Sequence, residues 1–379
     1  VLVARPASCL PLLVLGVALP LQAAPPVGFT RESAEAAARF ERILLDTPTP
    51  DRARRLLAAI TEEPHVAGTP QEEKVAASVE ARLREAGLDV EVVRYEAFLN
   101  HPESVSLELV EPERAALLLE EDPVEGDKDS TRRGMFPAFH GYGASGHAEG
   151  QVVYVNYGSH DDFERLAGLG VSVEGKVVLA RYGEVFRGLK VKEAQDRGAL
   201  AALVYSDPAD DGWAKGDVYP DGPMRPPSAI QRGSVQFLSL GPGDPSTPGW
   251  PSLPGARRVP RERMENIPRI PSLPISYAQA ERILRHLGGP RVPDDWQGAL
   301  PLTYHLGPGG AAVSLDVKMK EGLKTIRDVV ARIPGAVEPD ELVIVGNHRD
   351  AWTHGAVDPG SGTTAMLEAA RGLGAALKA

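Results

Sequence analysis

A single cysteine, Cys9, stands in a chain of 379 residues, which excludes a disulfide framework and thiolate chemistry from everything that follows it. Basic residues are outnumbered, 41 Lys and Arg against 52 Asp and Glu, for a formal net charge of −11. A surface that tracks phosphates needs an excess of cations to release counterions, so the balance speaks against non-specific nucleic-acid binding. The N-terminal apolar run is shorter than the ~20 residues that cross a bilayer, which excludes a membrane span there. What is present is an ordinary globular balance, 42% apolar and 25% charged, in a chain long enough for two or three domains. Proline is abundant: 34 residues, nearly double the usual share of about 5%. They crowd into 218–301 and predict irregular, loop-rich structure there.

The first residues, "VLVARPASCLPLLVLGVALPLQAAPP", set a positive charge at Arg5 before an apolar run and an Ala-rich end near Ala23 and Ala24. This is the pattern of a secretory signal over residues 1–24. A lipoprotein reading of Cys9 is weaker, because the apolar run follows the cysteine. The mature protein is expected to be exported, to a bacterial periplasm or the extracellular space.

Three helices are predicted next. "TRESAEAAARFERILLD" spaces Phe40, Ile43 and Leu44 along one face; "TPDRARRLLAAIT" offers Thr49 as cap with Pro50 at the first helical position; a third repeats that grammar with Thr69 and Pro70 and stops at Gly87. "LDVEVVRYEAF" then alternates as a strand. Between about 100 and 320 the texture changes to short strands ("QVVYVNYG", "GKVVLARYG", "LAALVYSDP") and one helical stretch over Lys190–Arg197. Three strand-like runs follow, "AAVSLDVKMK", "IRDVVARIPG" and "DELVIVGNHRD", and then a helix from about Gly362 to Leu377. Helix and strand in alternation predict an α/β fold with an inserted domain. No internal repeat is found.

The chemistry concentrates in "LVIVGNHRDAWTHGAVDPGSGTTAM". His348 is placed at the C-terminal end of a predicted strand, where open α/β sheets carry their ligand sites. Asp350, two residues on, points to the same face and can orient the imidazole through its far ring nitrogen. Asp358 opens a turn into a helix, so its carboxylate can swing back and bridge two metal ions. On spacing alone, such a His-x-Asp is more often an exposed loop pair than a ligand set.

Several strings, in order, resemble one family. "PHVAGT", "ARYGEVFRGLKVKEAQ", "YSDPADDG", "YPDG", "QRG", "GDPSTPG", "GAVEPDELVIVGNHRDAW" and "DPGSG" are similar to the glutamate carboxypeptidase II and N-acetylated-alpha-linked acidic dipeptidase family of zinc metallopeptidases, related to the transferrin receptors. The resemblance runs from about Phe29 to the end. It implies a zinc-peptidase α/β domain split by a protease-associated (apical) domain of short β-strands and helices. The expected division is 1–24 signal peptide, 29–110 first part of the peptidase domain, 111–320 protease-associated insertion and 321–379 start of the zinc-peptidase core.

By position, the resemblance implies His348 and Asp358 as zinc ligands and Asp350 as support for the histidine. It makes Arg187 the clamp of the substrate α-carboxylate, a task suited to a guanidinium fork, with Phe186 lining the same pocket; read alone, Arg187 is an ordinary surface ion-pair residue. Ser234 stands where the carboxypeptidase has an asparagine on the substrate carboxylate, a departure that puts strict glutamate selectivity in doubt. Thr247 and Trp250 match a threonine and a tyrosine that help hold a structural calcium, Trp replacing Tyr; a turn without metal is the alternative. Glu368 is taken as structural. The general-base glutamate, a zinc-binding glutamate, a further aspartate and a second histidine are expected to lie beyond Ala379. The chain is thus expected to be an N-terminal fragment, inactive by itself, without the homodimerisation of the full-length family. Its last helix is expected to be poorly anchored. Three functions follow: an exported zinc carboxypeptidase or dipeptidase acting on small, perhaps acidic, peptides; a non-catalytic binding module of the transferrin-receptor kind; or an aminopeptidase with the same metal site, against which Arg187 argues.

Overall fold

The computed structural model describes residues 25–131 and 134–379; Cys9 and the signal segment lie outside the described residues. The three N-terminal helices form where their caps predict. Helix α1 (Arg31–Asp46) begins with a reciprocal capping box between Thr30 and Ser33. Helices α2 (Pro50–Ile60) and α3 (Pro70–Glu85) begin with Thr49 and Thr69 accepting from the N–H of Arg52 and Glu72, each with Pro at the first helical position. Gly87 adopts φ +87°, a left-handed conformation that glycine takes without strain, and turns the chain into β1.

Strand β1 (Asp89–Glu111) pairs with the two-residue β2 (Ala115–Ala116). Beyond it come β3 (His140–Gly141), β4 (Gly146–Tyr154), α4 (His160–Gly168), β5 (Val177–Arg181), α5 (Arg187–Asp196), β6 (Ala201–Tyr205), α6 (Pro208–Asp211), β7 (Gly233–Ser234), β8 (Ser272–Ile275), α7 (Tyr277–Leu284), β9 (Ala312–Arg332) and α8 (Gly360–Leu377). The main sheet has seven strands in the order β2-β1-β9-β4-β5-β6-β8. Strands β4, β5, β6 and β8 run parallel, their connections carrying α4 and α5, while β9 is antiparallel to both neighbours. Residues of β5 and β6 are buried on both faces, as a parallel sheet covered by helices requires.

Two of the predicted strand runs are one strand. β9 pairs with β1 from Asp89↔Arg332 to Glu111↔Ala312, interrupted only by irregularities at Pro102/Ser104 and Leu109/Glu111. The long ribbon joins the start and the end of the region between them. The expected boundary at 110/111 falls one residue before the end of β1, and that at 320/321 falls inside β9. The fold is α/β, with a larger core around β4–β6, β8 and α7 and a smaller one of Leu56, Ile60, Val75, Val79, Leu83, Val90, Leu367 and Ala370.

Two expectations are corrected. The run "DELVIVGNHRD" is no strand: 341–350 has no ladder partner among the described residues, and Leu342, Val343, Ile344 and Val345 are 76–98% exposed. Apolar, β-branched composition favours a strand only where a neighbour completes its hydrogen bonds. The final helix, in contrast, is seated. α8 buries Leu367, Glu368 and Ala370 against α2 and α3, and at Gly374 an added Cβ would lie 1.9 Å from the Ala86 carbonyl oxygen. Only glycine allows that approach.

Candidate metal centre

The segment 347–363 folds back on itself through backbone and short polar side chains. Asn347 donates from Nδ2 to the carbonyls of His348 (2.8 Å) and Pro359 (3.0 Å) and to Thr363 Oγ1 (3.0 Å), and Thr363 Oγ1 donates to the His348 carbonyl at 3.1 Å. The first turn of α8 is thereby tied to the residue before the histidine, which places Asp358 beside it. "PHVAGT" clasps the other side: Ala351 N donates to His65 O (3.1 Å) and His65 N to Thr353 O (3.3 Å). Arg349, between the two candidate residues His348 and Asp350, pairs with the buried Glu72 of α3 and donates to Arg327 O of β9 at 2.9 Å.

His348 Nε2 lies 2.9 Å from Asp358 Oδ1. His348 Nδ1 lies 3.0 Å from the Asp350 main-chain carbonyl and 3.7 Å from the Asp350 carboxylate. A carbonyl can only accept, so Nδ1 carries the proton. In a neutral ring Nε2 is then a lone pair facing a carboxylate oxygen, two acceptors in contact. At this distance the pair is held by a shared proton, and a zinc ion taking both donors would set them somewhat further apart, at about 3.3 Å or more. Zinc takes imidazole nitrogen and carboxylate oxygen at ~2.0–2.2 Å, so the donor types fit it. The histidine is oriented by the backbone of Asp350 rather than by its carboxylate. All three side chains are open to solvent, with His348 56%, Asp350 49% and Asp358 79% exposed. Among the described residues no group of three or more His, Cys, Asp and Glu is gathered to hold a metal ion. A cleft of about 380 Å³ beside the pair is lined by His348, Asp350, Asn347, Glu72, Arg349 and Leu99 among others.

The second predicted group lies at the start of α5. Arg187 packs across Gly233, where an added Cβ would meet its guanidinium carbon at 2.3 Å, and over the rings of Phe186 (5.0 Å) and Tyr182 (5.7 Å). Its Nε is buried and lacks a hydrogen-bond partner. Phe186 is 40% exposed. Ser234 follows Gly233 in β7, which pairs with β3 in the register His140↔Gly233 and Gly141↔Ser234, so Arg187 and Ser234 are brought to one strand pair. Beneath them His140 is fully enclosed, with Nδ1 2.9 Å from Ser272 Oγ and Nε2 3.2 Å from the Tyr182 hydroxyl, which itself donates to Gln231 O at 2.6 Å. Burial first, and the Arg187 charge second, push His140 down to about 3, so it is neutral. Burial likewise pushes the Tyr182 phenol up to about 12, against the opposing pull of Arg187.

Thr247 and Trp250 are engaged within their own turn. Thr247 Oγ1 is 2.7 Å from Ser252 Oγ, and Trp250 Nε1 donates to Arg257 O at 2.8 Å. The turn centres on Asp244, which pairs with Arg258 and accepts from Ser246, Ser252 and Phe98 N. Glu368 is nearly enclosed at the α2–α8 junction. Burial opposes its charge, but the hydrogen bond and charge of Arg371, the Thr49 N–H and Arg52 outweigh it and hold the carboxyl below its ordinary range. Sequence reasoning missed Asn347, Thr363, Glu72 and Arg349. For Glu72 the signal was ambiguous, since Thr-x-x-Glu at a helix start reads as a capping box.

Profiles of two families match the chain: the PA domain over residues 148–238 and Peptidase family M28 over residues 328–379. The chain is 46% identical over 329 residues to a probable glutamate carboxypeptidase of Arthroderma benhamiae, covering 83% of this chain and 45% of that protein. It is 35% identical over 347 residues to aminopeptidase NAALADL1 of Rattus norvegicus, covering 86% and 46%. Among solved structures, an aminopeptidase from Aneurinibacillus sp. strain AM-1 aligns at 18% identity, 88% of this chain, 61% of that one and a TM-score of 0.45. The chain spans about half the length of the curated relatives it matches.

Proposed function

The chain belongs to the glutamate carboxypeptidase family, with PA and M28 peptidase domains, and from that premise we propose zinc-dependent exopeptidase chemistry directed at the C-terminal residue of small peptides, acidic residues among them. His348 and Asp358 are the residues that would hold the metal, and the 2.9 Å approach of Nε2 to the carboxylate is the observation that supports this most. When bound, zinc activates water and polarises a carbonyl. Arg187 receives the substrate carboxylate, for which its guanidinium is prepared by the Gly233 cradle and an Nε without an acceptor. Ser234 at the same strand pair offers a hydroxyl where selectivity is set. The Thr247–Trp250 turn is closed by Asp244 and Arg258, and calcium is not part of the proposal.

Zinc hydrolysis uses about four ligands and a general base, and His348 and Asp358 are two candidates for that set. The 379-residue chain by itself is therefore expected to be inactive and to bind zinc weakly. Export through residues 1–24 belongs to the same proposal; no helix among the described residues is long and apolar enough to cross a membrane. The aminopeptidase reading shares the same metal residues and is supported by the names of two relatives, from Rattus norvegicus and Mus musculus; Arg187 disfavours it.

Dipeptides blocked at one end separate the readings, assayed on a protein that spans the full length of the relatives. A carboxypeptidase cleaves the N-blocked substrate and spares the C-blocked one, and Arg187→Gln raises its KM. Cleavage confined to substrates with a free amine would overturn the assignment.

A further inference from the structure

A concavity of about 350 Å³ opens between α2, α3 and α8 and shares no lining residue with the cleft beside His348. Four arginines line it, Arg52 and Arg55 from α2, Arg82 from α3 and Arg371 from α8, against two carboxylates, Glu85 and Glu368. In a protein of net charge −11, a cationic hollow is not a by-product of composition.

Glu85 and Glu368 offset only part of it, two carboxylates against four guanidiniums. Glu368 is already held by Arg371 at 2.8 Å, by Arg52 at 3.6 Å and by the Thr49 N–H. Among the described residues, the side chains of Arg55 and Arg82 make no hydrogen bond or ion pair with the protein. The Nε of Arg371 is buried without an acceptor. Arg52 and Arg55 are three apart on one helix and so share a face. Like charges gathered round a hollow repel one another, and an anion seated between them relieves that repulsion while its oxygens accept from the guanidinium forks. The volume lies near the lower end of the ~300–1,000 Å³ typical of small-ligand sites.

We propose that this hollow binds a small multivalent oxyanion, carrying phosphoryl or clustered carboxylate groups, with Arg55 and Arg82 as its principal donors. It shares no lining residue with the cleft beside His348.

The test is calorimetric titration of the 379-residue chain with pyrophosphate and, separately, with citrate, against sodium chloride at matched ionic strength. Saturable binding beyond the chloride control is expected, and the ligand that saturates identifies the phosphoryl or carboxylate source. Arg55→Gln with Arg82→Gln should weaken it by about tenfold or more, the loss of charge-assisted hydrogen bonds. Arg54→Gln, on the same helix but outside the hollow, should leave it unchanged. If the double glutamine variant does not fold, Arg55→Lys with Arg82→Lys keeps the charge, removes the fork and should still weaken binding. No saturable isotherm with either anion, or undiminished affinity in the folded double variant, overturns the proposal.

Discussion

The indole of Trp352 lies so close to the backbone of Gly141 that a Cβ added to the glycine would come within 2.5 Å of Cη2, and the same indole meets Phe139 edge-on at 5.3 Å. Trp352 is four residues beyond His348, and Gly141 pairs with Ser234. The contact therefore joins the candidate metal loop to the strand pair against which the candidate carboxylate clamp, Arg187, packs.

Gly141→Ala sets a methyl against that ring. Overpacking of this kind costs about 1–3 kcal/mol, and urea unfolding of the variant should show a loss in that range. A variant as stable as the parent would mean that the ring moves aside freely and joins nothing.

Glu72 anchors the same loop from the other side. Its carboxylate is almost fully enclosed and pairs with Arg349 and, at 3.8 Å, with Arg327. Removing one partner of a buried pair leaves the other charge uncompensated, at about 3–5 kcal/mol, so Glu72→Ala should lower the unfolding free energy on that order. A loss no larger than that of an exposed control such as Glu63→Ala would show the pair to be dispensable.

His140 makes stability depend on pH. Its folded-state pKa, about 3, lies below the unfolded value of ~6.5. The unfolded chain thus takes up a proton below pH ~6.5 that the folded chain refuses until pH 3, so stability falls as pH drops through that window. Between pH 7 and 4 the contribution is on the order of 3 kcal/mol. His140→Gln should flatten the slope of unfolding free energy against pH by up to one proton; an unaltered slope would contradict the buried, neutral imidazole.

Gly233 shapes the clamp. Since an added Cβ would displace the Arg187 guanidinium, Gly233→Ala should weaken glutarate binding, followed by NMR titration, about as much as Arg187→Gln does. If the alanine variant binds as the parent does while the Arg187 variant fails, the cradle has no part in recognition.

The local signals in the sequence were the ones that endured. Thr49-Pro50 and Thr69-Pro70 start α2 and α3 because cap and fixed φ act within one turn. His348 and Asp358, which the resemblance in "GNHRDAW" and "DPGSG" singled out, lie 2.9 Å apart. What escaped depends on partners distant in sequence. Leu342–Val345 has the composition of a strand but no neighbour among the described residues to pair with. The seat of α8 depends on helices more than 280 positions earlier. Glu72 reads as a cap until Arg349 is found beside it, and the orienting group for His348 is the carbonyl of Asp350, which no side-chain pattern reveals.

The most direct test is a zinc titration of the 379-residue chain observed through the ring nitrogens of His348 by 15N NMR. The account predicts a proton on Nδ1 throughout and a zinc-dependent shift at Nε2 that disappears in Asp358→Ala. A shift at Nδ1 instead, or one at Nε2 that persists in full without the Asp358 carboxylate, would contradict it.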